Sequence, residues 1–393
     1  MIKRKAEKAL RDLAGQFKAV AIIGPRQSGK TTLSRFVFAG KPYVSLENPD
    51  TRRFAFEDPR GFLTQFPDGA VLDEVQRQPE LFSYLQQILD ESPIPGKFII
   101  TGSNNFLLQA NISQSLAGRI AYLVLLPFSA FELSLPGDQN LRELMFKGFY
   151  PPLFDQPVQP VDWYANYVRT YVERDVRQLK NITDLNTFER FLKLCAGRTG
   201  QLLNMSALAI ETGVDNKTIT SWISVLESSF IVYRLQPHHR NFNKRVVKMA
   251  KLYFYDTGLA CSLLGIQNAA QLQFHPLHGS LFENFVIGEL VKSRFNGALG
   301  NNLYFWRDNV GHEIDVIIDH GTRLYPIEIK SGQTVTQEYF RNLAFWQSIT
   351  GETPATVVYA GATRQQRSNG VEVIPWQELD SMSEILLRNN ETT

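Results

Sequence analysis

The residues best suited to chemistry lie near the amino terminus, in a glycine-rich loop that follows the apolar run Ala19–Ile23. The spacing G-x-x-x-x-G-K-T between a strand and a helix is typical of a loop that binds nucleotide phosphates. Its two glycines let backbone N–H groups turn toward an anion, Lys30 can reach the β- and γ-phosphates, and the Thr31 hydroxyl can bind Mg²⁺. The alternative is a chance pattern in a loop. We predict that ATP and Mg²⁺ bind here and that the nucleotide-binding residues are Gly24, Pro25, Arg26, Gln27, Ser28, Gly29, Lys30, Thr31 and Thr32.

A pair of carboxylates follows another apolar run, Ala70–Leu72. Asp73 and Glu74 would stand at the carboxyl edge of a parallel sheet, where ligands bind in open α/β folds. There Asp73 could hold the water shell of Mg²⁺ opposite Thr31, and Glu74 could orient or deprotonate the water that attacks the γ-phosphate. This arrangement is similar to a Walker B element. The alternative is that both carboxylates open a solvent-exposed turn.

The elements that must position these residues alternate between strands and helices over the first third of the chain. Alternation of this kind predicts a mostly parallel sheet that is covered by helices on both faces, as in a P-loop NTPase. The fold class we expect is therefore α/β and multidomain. The predicted strands are Ala19–Ile23, Tyr43–Leu46, Ala70–Leu72, Phe98–Thr101 and Ile120–Leu126.

Two further polar residues are candidates for the same site. The run Thr101–Asn104 comes at the end of a predicted strand, so Asn104 or Ser103 could form a hydrogen bond with the attacking water or the γ-phosphate. Arg119 precedes the fifth predicted strand, and a guanidinium suits the charge of a phosphoryl-transfer transition state on a neighbouring subunit's nucleotide. An equally open interpretation makes Arg119 a surface residue that caps the carboxyl end of a helix.

The order of these elements resembles the AAA+ ATPases. In that family a residue of the class of Asn104 is called sensor 1, and an arginine at the position of Arg119 is often a finger that acts in trans, so the resemblance implies a homo-oligomer. Four short sequence segments make the resemblance more specific. With them the chain resembles a prokaryotic group of AAA+-like predicted ATPases that carry a carboxy-terminal domain of unknown function. This resemblance covers essentially the whole chain. No residue stands out as sensor 2. The four segments are Gly24–Gln27, Val44–Glu47, Thr101–Ser103 and Ser115–Arg119.

Composition narrows the class of protein. A chain of 393 residues has room for two or three domains, and its net charge of +2 favours no partner by bulk electrostatics. Cys195 and Cys261 are too few for a disulfide framework, which favours a reducing compartment. No apolar stretch has the character of a signal peptide or a membrane span, so we expect a cytoplasmic protein.

The middle of the chain predicts a DNA-binding unit. Prolines and glycines cluster between 127 and 160, which is typical of a linker. A short helix from 204, a turn at Gly213 and a longer helix to Glu227 form a helix-turn-helix pattern, and an apolar run from Phe230 would supply the strand of a winged helix. No acidic residue lies between 234 and 251. The unit could instead serve for packing or dimerisation. The predicted nucleic-acid contacts are Lys217, Arg240, Lys244, Arg245 and Lys248.

The last third carries a second possible metal site. A predicted helix, three strands, a helix and a strand after Leu264 are similar to the restriction-endonuclease-like, or PD-(D/E)xK, fold. By that resemblance Asp315 and Glu328 would bind Mg²⁺, Glu283 would complete the site, and Lys330 would position the attacking water. An alternating, solvated strand gives the same E-x-K pattern, and such domains can bind without cleaving.

These observations predict four parts. Residues 1–135 would form an AAA+-like ATPase domain, 136–200 a proline-rich linker and helical segment, 201–262 a winged-helix candidate, and 263–393 a restriction-endonuclease-like domain. We expect an ATPase that acts on nucleic acid. Its expected partners are nucleic acid and further copies of the same chain, with a protein partner as another candidate. The alternative is a nucleotide-gated protein- or DNA-binding switch with slow hydrolysis and no nuclease activity.

Overall fold

A computed structural model of the chain describes residues 2–102, 108, 112, 115–133, 140–171, 182, 184–239, 246–351 and 354–382. Its first part contains a five-stranded sheet in the order β2-β3-β4-β1-β5, in which every pair of neighbours is parallel. The carboxyl ends of all five strands therefore meet at one edge. The strands are β1 (Ala19–Ile23), β2 (Tyr43–Ser45), β3 (Ala70–Asp73), β4 (Phe98–Thr101) and β5 (Ile120–Val124).

Helices pack on both faces of this sheet because its strands are apolar on both sides. All five residues of β1 are buried. Asn48 and Asp58 each cap a helix that begins with a proline, and each side chain accepts a hydrogen bond from a first-turn N–H group. The helices of this part are α1 (Ala6–Gln16), α2 (Lys30–Val37), α3 (Pro49–Glu57), α4 (Pro59–Thr64) and α5 (Leu81–Glu91), with a 3₁₀ turn at Val75–Arg77 and another at Ala130–Glu132.

The middle of the chain is mainly helical. Gly213 ends one helix in the left-handed conformation, with φ of 77°, and Asp215 caps the next, so the predicted helix pair is present. The charged stretch from Trp163 to Lys180 predicts a helix by its periodicity. In the structure a helix spans Pro160–Tyr171, and residues 172–180 lie outside the described residues. The helices are α6 (Leu141–Lys147), α7 (Pro152–Asp155), α8 (Pro160–Tyr171), α9 (Leu185–Ala196), α10 (Met205–Thr212), α11 (Asn216–Ser228), α12 (Thr257–Leu263) and α13 (Ala269–Phe274).

An eight-stranded sheet forms the carboxy-terminal part, in the order β12-β13-β11-β10-β9-β8-β6-β7. Two short strands near the end, β12 and β13, were not predicted from the sequence. Helix α14 (His278–Asn296) and helix α15 (Arg341–Thr350) accompany the sheet. The strands are β6 (Val232–Pro237), β7 (Lys251–Phe254), β8 (Leu303–Arg307), β9 (Glu313–Asp319), β10 (Leu324–Lys330), β11 (Ala355–Tyr359), β12 (Gln365–Gln366) and β13 (Val371–Pro375).

This sheet crosses the expected boundary between 262 and 263. β6 and β7 form an antiparallel pair, and β6 also pairs in parallel with β8 through Gln236 and Pro237. The strand predicted from Phe230 for the winged helix is therefore β6, and with β7 it also forms the edge of the carboxy-terminal sheet. The predicted α/β, multidomain fold class is confirmed. None of the helices in the described ranges has the length and apolar character needed to cross a membrane.

Candidate functional site

The loop after β1 needs both of its glycines. Gly24 has φ of 145°, and a β-carbon there would lie 2.1 Å from the carbonyl oxygen of Leu125 on the neighbouring chain segment. Gly29 has φ of 92° and precedes the first residue of α2. Gln27 also has a positive φ, of 59°. The loop thus adopts the tight backbone that a phosphate-binding loop requires.

Lys30 is folded into this loop. Its ammonium group donates to the carbonyl oxygens of Gly24, at 3.0 Å, and Pro25, at 2.6 Å. The side chain is only 7% exposed. A bound phosphate would have to replace these carbonyl partners, which places the charge of Lys30 next to any anion that the loop holds.

The residues predicted to hold Mg²⁺ lie together. The Thr31 hydroxyl donates to the Asp73 carboxylate, with oxygen–oxygen distances of 3.1 and 3.3 Å. Tyr43 donates to the same carboxylate at 2.6 Å, and so does the Thr101 hydroxyl. Burial, together with the Asp73 hydrogen bond, raises the pKa of Tyr43. Thr31 provides a hydroxyl from the first turn of α2, and Asp73 provides a carboxylate from the end of β3. Oxygen ligands of these kinds are the ones that Mg²⁺ prefers, so the two residues fit the ion.

Glu74 leaves β3 in a strained conformation. Its φ of 56° is in the left-handed region, which costs a non-glycine residue about 1 kcal/mol or more. The Gln76 amide donates to the Glu74 carboxylate at 2.6 Å. Both features hold the carboxylate at the rim of the cleft that the loop opens into.

That cleft, of about 620 Å³, lies between the phosphate loop and the middle of the chain. Glu47 and Glu74 line it from the first part. The sequence did not indicate the opposite wall of the cleft, because tyrosines at helical spacing, as on α8, are typical of a face that packs in the core. Tyr167 and Tyr171 are indeed buried, but both also line the cleft. The residues of that wall are Pro151, Pro152, Asp155, Gln156, Tyr167, Thr170 and Tyr171.

Arg4 supports the loop from below, which the sequence also did not indicate. Its guanidinium donates to the carbonyl oxygen of Ser28 at 2.7 Å and to that of Leu126 at 2.7 Å. It also forms an ion pair with Glu132 at 3.0 Å, in which the two side chains are 7% and 0% exposed. The phosphate loop is thereby tied to the end of the first sheet.

Arg119 lies far from this chain's own loop. It precedes β5, and its carbonyl oxygen accepts from the Ala19 N–H at the start of β1. It is therefore at the amino edge of the sheet, roughly 16 Å from the carboxyl edge for a five-residue strand. Its guanidinium pairs with Asp90. A role on a neighbouring subunit's nucleotide stays a prediction, and Asn104 lies outside the described residues.

The carboxy-terminal candidates also converge, but as ion pairs. Lys330 donates to Glu328 at 2.6 Å, and the Asn342 amide donates to the same oxygen at 3.2 Å. The Asp315 carboxylate accepts from the Ile329 N–H at 2.7 Å. Burial, and then the nearby Glu328 and Glu283 carboxylates, raise the pKa of Asp315 well above its ordinary value.

Lys251 of β7 enters this carboxylate group. Its ammonium group lies 3.0 Å from Glu283 and 2.5 Å from Glu313. Burial acts to lower the pKa of Lys251, but Glu283 and Glu313 outweigh it and raise that pKa. Across the ranges that the structure describes, no three His, Cys, Asp or Glu side chains are placed to hold a metal ion. The predicted ligands Glu283, Asp315 and Glu328 lie near one another, and their role in binding a metal ion stays a prediction.

The predicted nucleic-acid contacts are only partly described. Lys217 is exposed near the start of α11, and Lys248 is exposed just before β7. Arg240, Lys244 and Arg245 lie outside the described residues. Their role in binding stays a prediction.

Comparisons with known proteins divide the chain into three matched regions. Residues 16–134 match the family model described as AAA domain. Residues 138–270 and 278–379 match two families described as domains of unknown function, DUF8612 and DUF4143. The first of the three is thus an AAA-type ATPase domain, which supports ATP binding.

Two mycobacterial proteins match along almost the whole chain. The uncharacterized protein Rv2008c of Mycobacterium tuberculosis and the uncharacterized protein Mb2031c of Mycobacterium bovis are each 31% identical to it over 382 residues. Each match covers 96% of this chain and 84% of the relative. Among solved structures, the Walker-type ATPase PABY2304 of Pyrococcus abyssi matches with a TM-score of 0.45 and 14% identity, covering 67% of this chain and 96% of that one.

Proposed function

This chain belongs to the same family as the two mycobacterial proteins, and from that premise and its AAA domain we propose that it binds ATP and hydrolyses it with Mg²⁺. The observation that supports this most directly is the contact between the Thr31 hydroxyl and the Asp73 carboxylate beside the phosphate loop. Those two residues would hold Mg²⁺. When bound, the ion supplies positive charge to the phosphates.

The residues of the chain divide the remaining work. The loop N–H groups and Lys30 bind the phosphates, and Tyr43 and Thr101 keep the Asp73 carboxylate oriented. Glu74, held by Gln76, orients the attacking water and accepts its proton. Thr170 and its neighbours line the opposite wall of the same cleft.

The test is ATP turnover by the purified chain, with Mg²⁺ and with the ion removed by a chelator. We expect Glu74→Gln to lower kcat by about 10²- to 10⁴-fold, the usual contribution of a general base, while ATP binding persists. Glu80→Gln is a matched control, because Glu80 is exposed and precedes α5 away from the cleft. Unchanged turnover in Glu74→Gln would contradict the role of that carboxylate, and absence of any turnover would contradict the ATPase.

We further infer that the protein acts on nucleic acid, with DNA as the expected type, through the parts that follow the ATPase. The helix pair α10–α11 and the hairpin β6–β7 support a winged-helix arrangement for 201–262, and the order of elements after it supports a restriction-endonuclease-like fold for 263–393. Exposed Lys217 and Lys248 supply positive charge at the first of these parts. Lys217→Glu and Lys248→Glu should weaken DNA binding and reduce its dependence on salt, whereas Lys193→Glu on α9 should not.

A second function, a nucleotide-gated switch with slow hydrolysis, is favoured by one buried connection. Glu132, which pairs with Arg4 under the loop, belongs to a turn whose Ala130 N–H donates to Glu289 of α14 at 2.8 Å. Glu289 in turn pairs with Lys292 at 2.8 Å. If the protein is a switch, Glu74→Gln held in the ATP state will keep full binding to its DNA or protein partner; if it is a motor, that variant will lose its output.

A further inference from the structure

The carboxylates that the endonuclease-like fold would use for a metal ion already surround a cation of the protein itself. Lys251 is 3% exposed, and its ammonium group lies between Glu283 of α14 and Glu313 of β9. We propose that this ammonium group takes the place of a divalent cation, so that the cluster is closed to metal ions while Lys251 is in position. The cluster comprises Lys251, Glu283, Glu313, Asp315, Glu328 and Lys330.

The two carboxylates that contact Lys251 lie on α14 and β9, and each also contacts a second side chain. Tyr253, two residues along β7, donates to the same Glu283 carboxylate, so both inward-facing residues of this strand engage it. Arg307 pairs with the second oxygen of Glu313 at 3.1 Å. The protein's own side chains therefore occupy both oxygens of Glu313, from Lys251 and Arg307, and one oxygen of Glu283, to which Lys251 and Tyr253 both donate.

The electrostatics of the cluster favour the same conclusion. An isolated buried carboxylate is strongly disfavoured, so a buried acidic group needs a cation close by. Lys251 provides that cation at Glu283 and Glu313, and Lys330 provides it at Glu328. A divalent ion placed among them would face the repulsion of two ammonium groups.

One oxygen shows what the site would offer if Lys251 were absent. Glu328 is 2% exposed, and its Oε2 has no hydrogen-bond partner among the described residues. Asp315 accepts from the N–H of Ile329, the residue after Glu328, so this oxygen and those released from Lys251 would be available to converge on a hard divalent cation. The presence of Lys251 thus determines whether this cluster is closed by ion pairs or open to a metal ion.

The experiment measures Mn²⁺ binding by the full chain, using the paramagnetic signal of the free ion and no nucleotide. All variants carry Asp73→Asn, so that the phosphate-loop site adds no signal and the result is independent of the proposed ATPase. We expect the parent to show no saturable Mn²⁺ site. Lys251→Ala should gain one such site, which binds Mn²⁺ on the order of a hundredfold more tightly than the parent protein binds the ion. Mn²⁺ should also raise the melting temperature of Lys251→Ala. Lys248→Ala, an exposed neighbour, should behave as the parent does.

Two outcomes would overturn the proposal. One is a saturable Mn²⁺ site in the parent that Glu283→Gln abolishes, since the site would then be open with Lys251 in place. The other is a folded Lys251→Ala that gains no site. If Lys251→Ala does not fold, Lys251→Gln can replace it, because the amide still donates to the carboxylates while the positive charge is removed; it should likewise gain a Mn²⁺ site. Whether the parent has a saturable Mn²⁺ site is measured on the parent itself and does not depend on either variant.

Discussion

Replacement of Arg4 by methionine tests how much the contacts of the Arg4 guanidinium stabilise the phosphate loop. Arg4→Met keeps an unbranched apolar stem beside Phe128, over whose ring the guanidinium now lies at 4.8 Å. It removes the hydrogen bonds to the Ser28 and Leu126 carbonyl oxygens and the ion pair with Glu132. The fold should persist, because the change adds no bulk.

The magnitude follows from burial. Removal of one partner of a buried ion pair typically costs about 3–5 kcal/mol, since the other charge stays buried without compensation. Glu132 keeps hydrogen bonds from the N–H groups of Lys5, at 2.7 Å, and Ser129, at 2.8 Å. We therefore expect the lower end, a loss of about 3 kcal/mol in the free energy of unfolding. Loss of the Ser28 anchor should also weaken ATP binding by about tenfold, or about 1.4 kcal/mol.

Thermal unfolding and calorimetric titration with a non-hydrolysable ATP analogue measure the two effects. Arg11→Met is the matched control, because Arg11 pairs with Glu7 at the surface, where an ion pair contributes about 0–1 kcal/mol. The double variant Arg4→Met/Glu132→Gln should regain part of the stability, since no buried charge is left alone. If Arg4→Met equals Arg11→Met in both stability and ATP affinity, Arg4 does not support the loop.

Three further predictions address the cleft, the connection to α14 and the thiols. Thr170→Trp should fill part of the cleft and weaken ATP binding at least about tenfold, whereas Asn166→Trp, one turn earlier on the same helix, should bind as the parent does. Burial raises the pKa of Glu289 above its ordinary 4.5, so its contribution to stability is present at low pH and is lost as the pH rises through the raised value. Glu289→Gln should therefore flatten the decline of the melting temperature with rising pH, and an unchanged slope would contradict this. Cys195 and Cys261 are fully buried and burial raises both pKa values, so a thiol reagent at mildly alkaline pH should react only after denaturant is added; rapid labelling of the native protein would refute this.

Local sequence patterns predicted the ATPase part of the fold closely. β1 and β4 have the bounds that their apolar runs predicted, and the helix after the loop begins at Lys30. Asp73 and Thr31 are also found together, because the carboxyl ends of parallel strands meet at one edge. These features depend on residues that are neighbours in sequence or on a rule of sheet topology.

Long-range contacts were beyond the same reasoning. Arg4 meets Glu132 across 128 positions of the chain, and nothing near either residue indicates the partner. Lys251 ends the stretch from 234 that lacks acidic residues, a pattern that predicts nucleic-acid contact, yet it is buried among carboxylates. A charged residue in a basic run and a charged residue in a buried ion pair have the same letter pattern, and only the fold distinguishes them.

The shared sheet has a consequence for the inheritance of this protein. Because β6 pairs with both β7 and β8, recombination that replaced only the chain after residue 278 would bring in a β8 edge shaped for a different partner strand. If the incoming strand did not pair with β6, it would leave an unpaired edge, and unpaired edges promote aggregation. The two regions that match separate families are therefore expected to be inherited together as one block.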